Sequence, residues 1–225
     1  MSSNLQQQAF QAIRKQIIYA EIEPGSKISE KALEDALHIG RTPIREALIQ
    51  LRNQELVYTV PQSGTYVSKI DIETASHASF SRKLLEKAVL VECSARMTEK
   101  AGQVLENVIE DTRIAAENRD LRKFFHLDNV FHKTCFDIAG KAEVWEWLES
   151  FSTHLDRFRW LRLNVSELRW ERIIEEHEQL LQAIMKQKLN EVSFLSSMHL
   201  HMIIEEQDKI IQTFPDFFTQ GSKIQ

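Results

Sequence analysis

The sequence predicts a mainly α-helical chain in two parts: an N-terminal winged helix-turn-helix with a small β-hairpin, then a C-terminal antiparallel bundle of about six helices. Three observations carry this. Residues 28–56 hold two short amphipathic runs separated by a tight turn, and two β-rich runs follow them up to residue 67. From residue 76 to 211, apolar residues recur at three-four spacing in successive runs, with Gly102 and Gly140 the only glycines and no proline before Pro215. Charge is uneven as well. Residues 1–70 carry eight Lys plus Arg against seven Asp plus Glu, and the rest carries 20 against 26, so a chain of net charge -5 has a slightly basic head on an acidic body.

Residues 5–20 form the first helix, with Phe10, Ile13 and Ile17 in a stripe and Arg14 and Lys15 beside it; Pro24-Gly25 ends it. In comparable arrangements this helix props the reading pair. Ser29 then caps a helix whose Ala32, Leu33, Ala36 and Leu37 share a face, and His38-Ile39-Gly40 supplies the turn. In the next helix Ile44, Ala47, Leu48 and Leu51 follow the i, i+3, i+4, i+7 pattern of a buried stripe, with Thr42 as cap and Pro43 at the first helical position. Arg45, Ile49 and Arg52 are left on the other face.

Two half-buried helices joined by a glycine turn read as a helix-turn-helix, whose second helix lies in a DNA major groove. There an arginine fork donates two hydrogen bonds to guanine, while Thr42 and the free amides of the first turn hold phosphate. An ordinary helical hairpin with solvated arginines shows the same spacing. Against that simpler reading, Leu56 to Val60, the turn Pro61-Gln62-Ser63-Gly64 and Thr65-Tyr66-Val67 form a hairpin behind the helices, which completes a winged helix. The candidate DNA-contacting residues are Lys31, Arg41, Thr42, Pro43, Arg45 and Arg52, with Gln62, Ser63 and Gly64 on the wing.

The division expected is a DNA-binding domain at 1–70, a linker at 71–75 at the end of the polar stretch Lys69 to Thr74 (KIDIET), and a second, helical domain at 76–225. Its helical runs lie near 76–97, 101–117, 120–138, 142–163, 167–187 and 189–212. The four tryptophans, Trp145, Trp147, Trp160 and Trp170, read as core or dimer surface rather than a platform for bases.

Histidine spacing adds a second signal. Asp128 and His132 are four apart and share a helix face. His177 and His199 are twenty-two apart, which on one unbroken helix would separate them by roughly 33 Å. Lys186-Gln187-Lys188-Leu189-Asn190, midway between, is the most polar piece of the region; as a turn, it puts each histidine about three turns from the bend, facing the other. Asp128, His132, His177 and His199 would then make a mononuclear divalent-metal site, whose nitrogen ligands favour Zn or Ni. Histidines that merely pack are the simpler reading, and His126, His154 and His201 are alternative members. His126 and His201 each lie two residues from a proposed ligand, roughly 200° around the helix, so they should face away.

Cys93 and Cys135 have no partner at metal-ligand spacing, which suits buried thiols in a reducing cytoplasm. No stretch approaches the length of a membrane span, and MSSNLQQQAF has neither the charged nor the apolar region of a signal peptide, so a soluble cytoplasmic protein is expected.

The first seventy residues resemble the GntR family of bacterial transcription regulators. The resemblance rests on Pro24-Gly25, Ile28-Ser29-Glu30, Ala32-Leu33, the run Ile39-Gly40-Arg41-Thr42-Pro43-Ile44-Arg45-Glu46-Ala47-Leu48, and Gly64-Thr65-Tyr66-Val67. Departures are Gly40 where the family usually has Ser or Thr, Glu55 where it has Gly, and Lys31 where an Arg is common. The second half resembles the FCD ligand-binding domain of the FadR-type branch: Arg82-Lys83-Leu84-Leu85-Glu86 is similar to its first helix, and the family's metal motifs match Asp128 with His132, Glu176-His177 and Met198-His199.

This resemblance implies a homodimer on a pseudo-palindromic operator in double-stranded DNA, with a small organic acid bound through a carboxylate near the metal. Arg82, Arg157 and Arg159 are the candidates to help hold it. A metal-dependent enzyme of a helical-bundle type, or a regulator with a metal-free second domain, are the rivals. Against the enzyme, there is no HExxH, no Gly-rich phosphate loop and no nucleophile elbow.

Overall fold

A computed structural model of the chain describes residues 2–200 and 206–220. His201 lies outside the described residues. The first helix, α1 (Ser2–Ile18), buries Phe10, Ile13 and Ile17 against the reading helix, as their spacing predicts. Helix α2 (Glu30–Leu37) is capped by Ser29, whose hydroxyl accepts from the Ala32 amide at 3.2 Å. Its apolar face is narrower than expected: Leu33 is buried and Leu37 half-buried, but Ala32 and Ala36 are exposed, and Ile39 beyond the helix fills the gap instead.

Helix α3 (Arg41–Asn53) buries Ile44, Ala47, Leu48 and Leu51, the stripe the sequence shows. Its start corrects the capping expectation. Gly40 is the N-cap and makes no side-chain hydrogen bond, so Thr42 and Pro43 sit inside the first turn, where the missing proline amide would have been unpaired in any case. The turn is made by His38 in the left-handed region (φ 54), while Gly40 is extended. Glu55 also adopts positive φ (58) where α3 ends, which accounts for the glycine usual at that place.

The sheet has three short strands rather than two. Strand β1 (Lys27–Ile28) joins the hairpin of β2 (Val57–Val60) and β3 (Gly64–Val67) in the antiparallel order β1-β3-β2, with Tyr58 opposite Tyr66 and Lys27 on its other side. Gly64 has φ 142, a backbone conformation that residues with a side chain rarely adopt, which is what calls for a glycine at the start of β3 beside Lys27.

Residues 71–75, expected as a linker, carry the first turn of α4 (Ile72–Arg96). Asp71 caps it through the Thr74 amide (2.7 Å), and Ile70 and Ile72 are buried, so the junction is packed rather than solvated. The rest of the body is α5 (Glu99–Glu117), α6 (Leu121–Ile138), α7 (Ala142–Phe151), α8 (Thr153–Leu163), α9 (Glu171–Met185), α10 (Leu189–His199) and α11 (Gln207–Thr213). The run expected at 142–163 is divided at Ser152 into α7 and α8, because α8 turns in towards the winged helix. Helix α4 runs beside α6, α8 and α10, while α5 packs on α6 and α9. Trp145, Trp160 and Trp170 are buried and Trp147 is exposed; Cys93 and Cys135 are both fully buried.

The winged helix and the bundle share one continuous apolar cluster, and α8 carries most of the polar joints between them. Thr153 Oγ1 donates to the Gln54 carbonyl (3.1 Å), His154 Nδ1 accepts from the Asp71 amide (2.9 Å), and Arg157 Nη2 donates to the Ser68 carbonyl (2.5 Å). Burial pushes the His154 imidazole down to about 4, so it is the neutral ring that accepts there. Arg14 of α1 reaches the Glu149 carbonyl (3.3 Å) and Asp156 (3.6 Å), so it props the seam.

Candidate functional site

Asp128, His132, His177 and His199 meet in the bundle, all four buried, as the one such potential metal-ligating group among the described residues. The polar stretch after Met185 is indeed a turn, with Gln187 left-handed (φ 52), and it folds α10 back on α9. The three Nε2 atoms form a near-equilateral triangle: 3.3 Å from His177 to His132, 3.3 Å from His177 to His199 and 3.2 Å from His199 to His132. Asp128 Oδ1 lies 3.7 Å from His177 Nε2.

The chemistry of this donor set fits a cation. Glu176 Oε2 is 2.7 Å from His199 Nδ1, and Glu86 Oε2 is 2.8 Å from His132 Nδ1, off the line of an ideal hydrogen bond. A carboxylate on Nδ1 keeps the proton there and leaves a lone pair on Nε2. Burial lowers the pKa of His132, and lowers that of His177 well below the usual value, so these rings are neutral at pH 7. Lone pairs converging at 3.2–3.3 Å repel unless a cation lies among them. Nitrogens around a tetrahedral Zn, with bonds of about 2.0–2.1 Å, stand about 3.3–3.4 Å apart. Phe131 stacks on the His177 ring (centroids 4.1 Å) and fixes its plane.

Carboxylates and arginines alternate around the cluster. Burial would raise the pKa of Asp128, but Arg159, which donates to its Oδ2, together with His132, His177 and Arg82 outweighs that and holds the carboxyl well below the usual carboxylate range. Glu86 is lowered in the same way, by Arg82 and His132 together against its own burial. A cavity of about 50 Å³ opens beside Asp128, His132 and His199, walled by Phe124 and Phe125 and by the guanidinium groups of Arg82, Arg159 and Arg162. Arg162 was not among the sequence candidates; it is paired with Glu206. Arg157 was, and the structure removes it from the pocket: two residues before Arg159 on a helix, it faces the opposite way, into the seam. Glu86 and Glu176 are likewise absent from the expected ligand set, although Glu176 adjoins His177 in the motif. His126 is exposed and His154 serves the seam, so neither joins the cluster.

The other candidates lie apart on the winged helix. Arg41, Thr42 and Arg45 are exposed on α3, with Pro43 half-buried; Ile49 and Arg52 are exposed one and two turns further on. Lys31 is exposed and pairs with Asp35 at 2.8 Å. Gln62 (φ 61) and Ser63 form the wing tip ahead of Gly64, and Ser63 Oγ is 2.6 Å from the Tyr66 hydroxyl, whose ring stacks on Tyr58. Among the described residues, none covers this surface.

Comparison with known proteins agrees with both halves. The family model for bacterial regulatory proteins of the gntR family matches residues 5–67, and that of the FCD domain matches 79–202. The HTH-type transcriptional repressor RspR of Escherichia coli (strain K12) is 32% identical over 215 residues, covering 95% of this chain and 93% of that protein. Among solved structures, E. coli McbR/YncC superposes with a TM-score of 0.79 at 17% identity, over 93% of this chain and 98% of that one. A GntR regulator from Rhodococcus sp. RHA1 gives 0.73 at 16% identity with the same coverage.

Proposed function

This chain belongs to the gntR family of bacterial regulatory proteins, in its FCD-carrying form, and from that premise we propose that its helical half is a metal-dependent sensor of a small carboxylate. It is a transcriptional regulator, not an enzyme. The observation that carries the sensing half is the Nε2 triangle beside a cavity lined by three arginines. Asp128, His132, His177 and His199 would hold a divalent ion, Zn or Ni by donor type. The ion supplies a Lewis-acidic position for one end of an anionic ligand. Arg82 and Arg159 supply charge-assisted hydrogen bonds to it, and the Phe124 and Phe125 walls exclude water.

Helix α8 is the element through which such a ligand would act. One of its faces presents Arg159 to Asp128, and the other holds the winged helix through Thr153, His154 and Arg157. A carboxylate competing for Arg159 would therefore bias α8 and, with it, the seating of the reading head. The ligand must bind the two seatings unequally, or it changes nothing.

On the DNA side, Arg41, Thr42, Pro43, Arg45 and Arg52 of α3, Lys31 of α2 and the wing residues Gln62, Ser63 and Gly64 form the contacting surface. The chain works as a cytoplasmic homodimer on a pseudo-palindromic operator; family regulators typically dimerise, and Phe80 and Leu84 of α4 and Phe194 and Met198 of α10 are large apolar side chains left exposed on neighbouring helices. No described helix is long and apolar enough to cross a membrane. RspR is named a repressor, which supports repression as the mode.

The test combines metal analysis of the purified protein with DNA binding in the presence of mono-, di- and tricarboxylates. About one ion per chain is expected, with at least one carboxylate shifting DNA affinity by about fivefold or more only in the metal-loaded protein. A carboxylate response that survives Asp128→Ala would overturn the reading.

A further inference from the structure

The two arginines that open the reading helix share one acceptor. Glu30, the first residue of α2, places Oε2 2.9 Å from Arg45 Nε and 3.4 Å from Arg41 Nε. Arg41 and Arg45 are one turn apart on α3 and so present side by side. The carboxylate is the more sheltered partner, with its side chain 33% exposed against 64% for Arg41 and 54% for Arg45. It thus lies beneath the two guanidinium groups. Both contacts use Nε, so the terminal nitrogens of each arginine are not the atoms that Glu30 engages. Lys31, the neighbouring cation, is already paired with Asp35.

Stability is a poor explanation for this arrangement, because exposed ion pairs contribute little to folding. We propose that Glu30 is a specificity-determining residue for operator reading, disfavouring binding through phosphate alone while remaining compatible with contacts of Arg41 and Arg45 to base edges. The inference rests on the DNA-binding reading of this surface. Guanine O6 and N7 are neutral acceptors, so a guanidinium can meet them while keeping its contact with Glu30. A phosphate brings a second negative charge towards the same carboxylate and must either repel it or strip an arginine from it. Non-specific association is almost entirely phosphate-driven, so the penalty falls mainly there.

The experiment uses the full-length chain and two duplexes: the tightest binder selected from a random-sequence pool by the wild-type protein, and its scrambled counterpart. Glu30→Gln keeps the shape and removes the charge. It is expected to tighten binding to the scrambled duplex about fivefold to tenfold and to change the selected duplex by less than about twofold. The ratio of the two affinities then falls fivefold to tenfold, and the salt slope on the scrambled duplex steepens by about one. Glu30→Asp, which retains the charge, should keep the wild-type slope. A merely structural role would lower both affinities together and leave the slope alone, and that result, or an unchanged ratio in Glu30→Gln, would overturn the inference. Failure of the wild-type protein to enrich any duplex would instead bring down the DNA-binding reading, and this inference with it.

Discussion

The reading surface and the histidine cluster are built in opposite ways. Arg41 and Arg45 are one turn apart on one helix, exposed, and tied to a carboxylate within fifteen positions in the chain. The cluster draws on α6, α9 and α10, is buried throughout, and joins residues up to 71 positions apart. A surface that must meet an outside partner keeps its donors solvated, where each contributes little to folding. A site that holds an ion needs converging, desolvated donors, and only a packed interior provides them. Substitutions on the two should therefore fail differently.

The largest effect should come from the cluster. His177→Ala or Asp128→Ala is expected to abolish stoichiometric metal and, with it, the stabilisation on adding metal, about 2.7 kcal/mol at a hundredfold excess over Kd and seen as a rise in melting temperature. Elemental analysis and melting with and without added ion check this. Retention of one ion per chain by both variants would refute the ligand assignment. Next, Glu176→Gln should weaken metal affinity by about 10- to 100-fold without abolishing it, because it loosens the orientation of His199 rather than removing a donor. A competition titration against a chelator of known affinity distinguishes that from no change.

On the other surface, Arg45→Ala should cost on the order of 1–3 kcal/mol of operator discrimination while leaving the melting temperature and metal content as in wild type. Equal binding of the selected duplex by both proteins would sink its role. The last effect, read only through its pH dependence, concerns the joint between the two regions. The His154 pKa is lowered to about 4 in the folded chain, from an ordinary value near 6.5, so the unfolded chain takes up the proton first as pH falls. The stability it supports is complete above about 6.5, declines between there and about 4, and is lost below. Melting scans across that window should show a shallower decline in His154→Gln; superimposable curves would count against the assignment.

How much of this was legible in the sequence varies with locality. The stripe Ile44, Ala47, Leu48, Leu51 is buried as its spacing predicts, because helix periodicity and burial are the same fact read twice. The hairpin turn after Met185 was also legible, through the lack of any apolar period there. The cap of α3 was not: Thr42 is a good cap by type, but the chain leaves the left-handed His38 in a direction that starts the helix at Arg41. The break at Ser152 escaped for a related reason, since apolar spacing continues through it.

The residues alone determined the helix-turn-helix, the wing and the bundle, because each announces itself through spacing within a helix or its neighbouring turn; spacing made Asp128, His132, His177 and His199 candidates for one site, and the resemblance to the FCD domain favoured them over histidines that merely pack. Tertiary structure decided what surrounds them. That Arg159 faces Asp128 while Arg157, two residues away, sits 1% exposed against Ser68 with Nε and Nη1 unpaired depends on what packs against each side of α8. The same holds for Glu86 behind His132 and Glu30 beneath two arginines. Helical periodicity says which side chains share a face; which partner covers that face is fixed by long-range packing, and no local period encodes it.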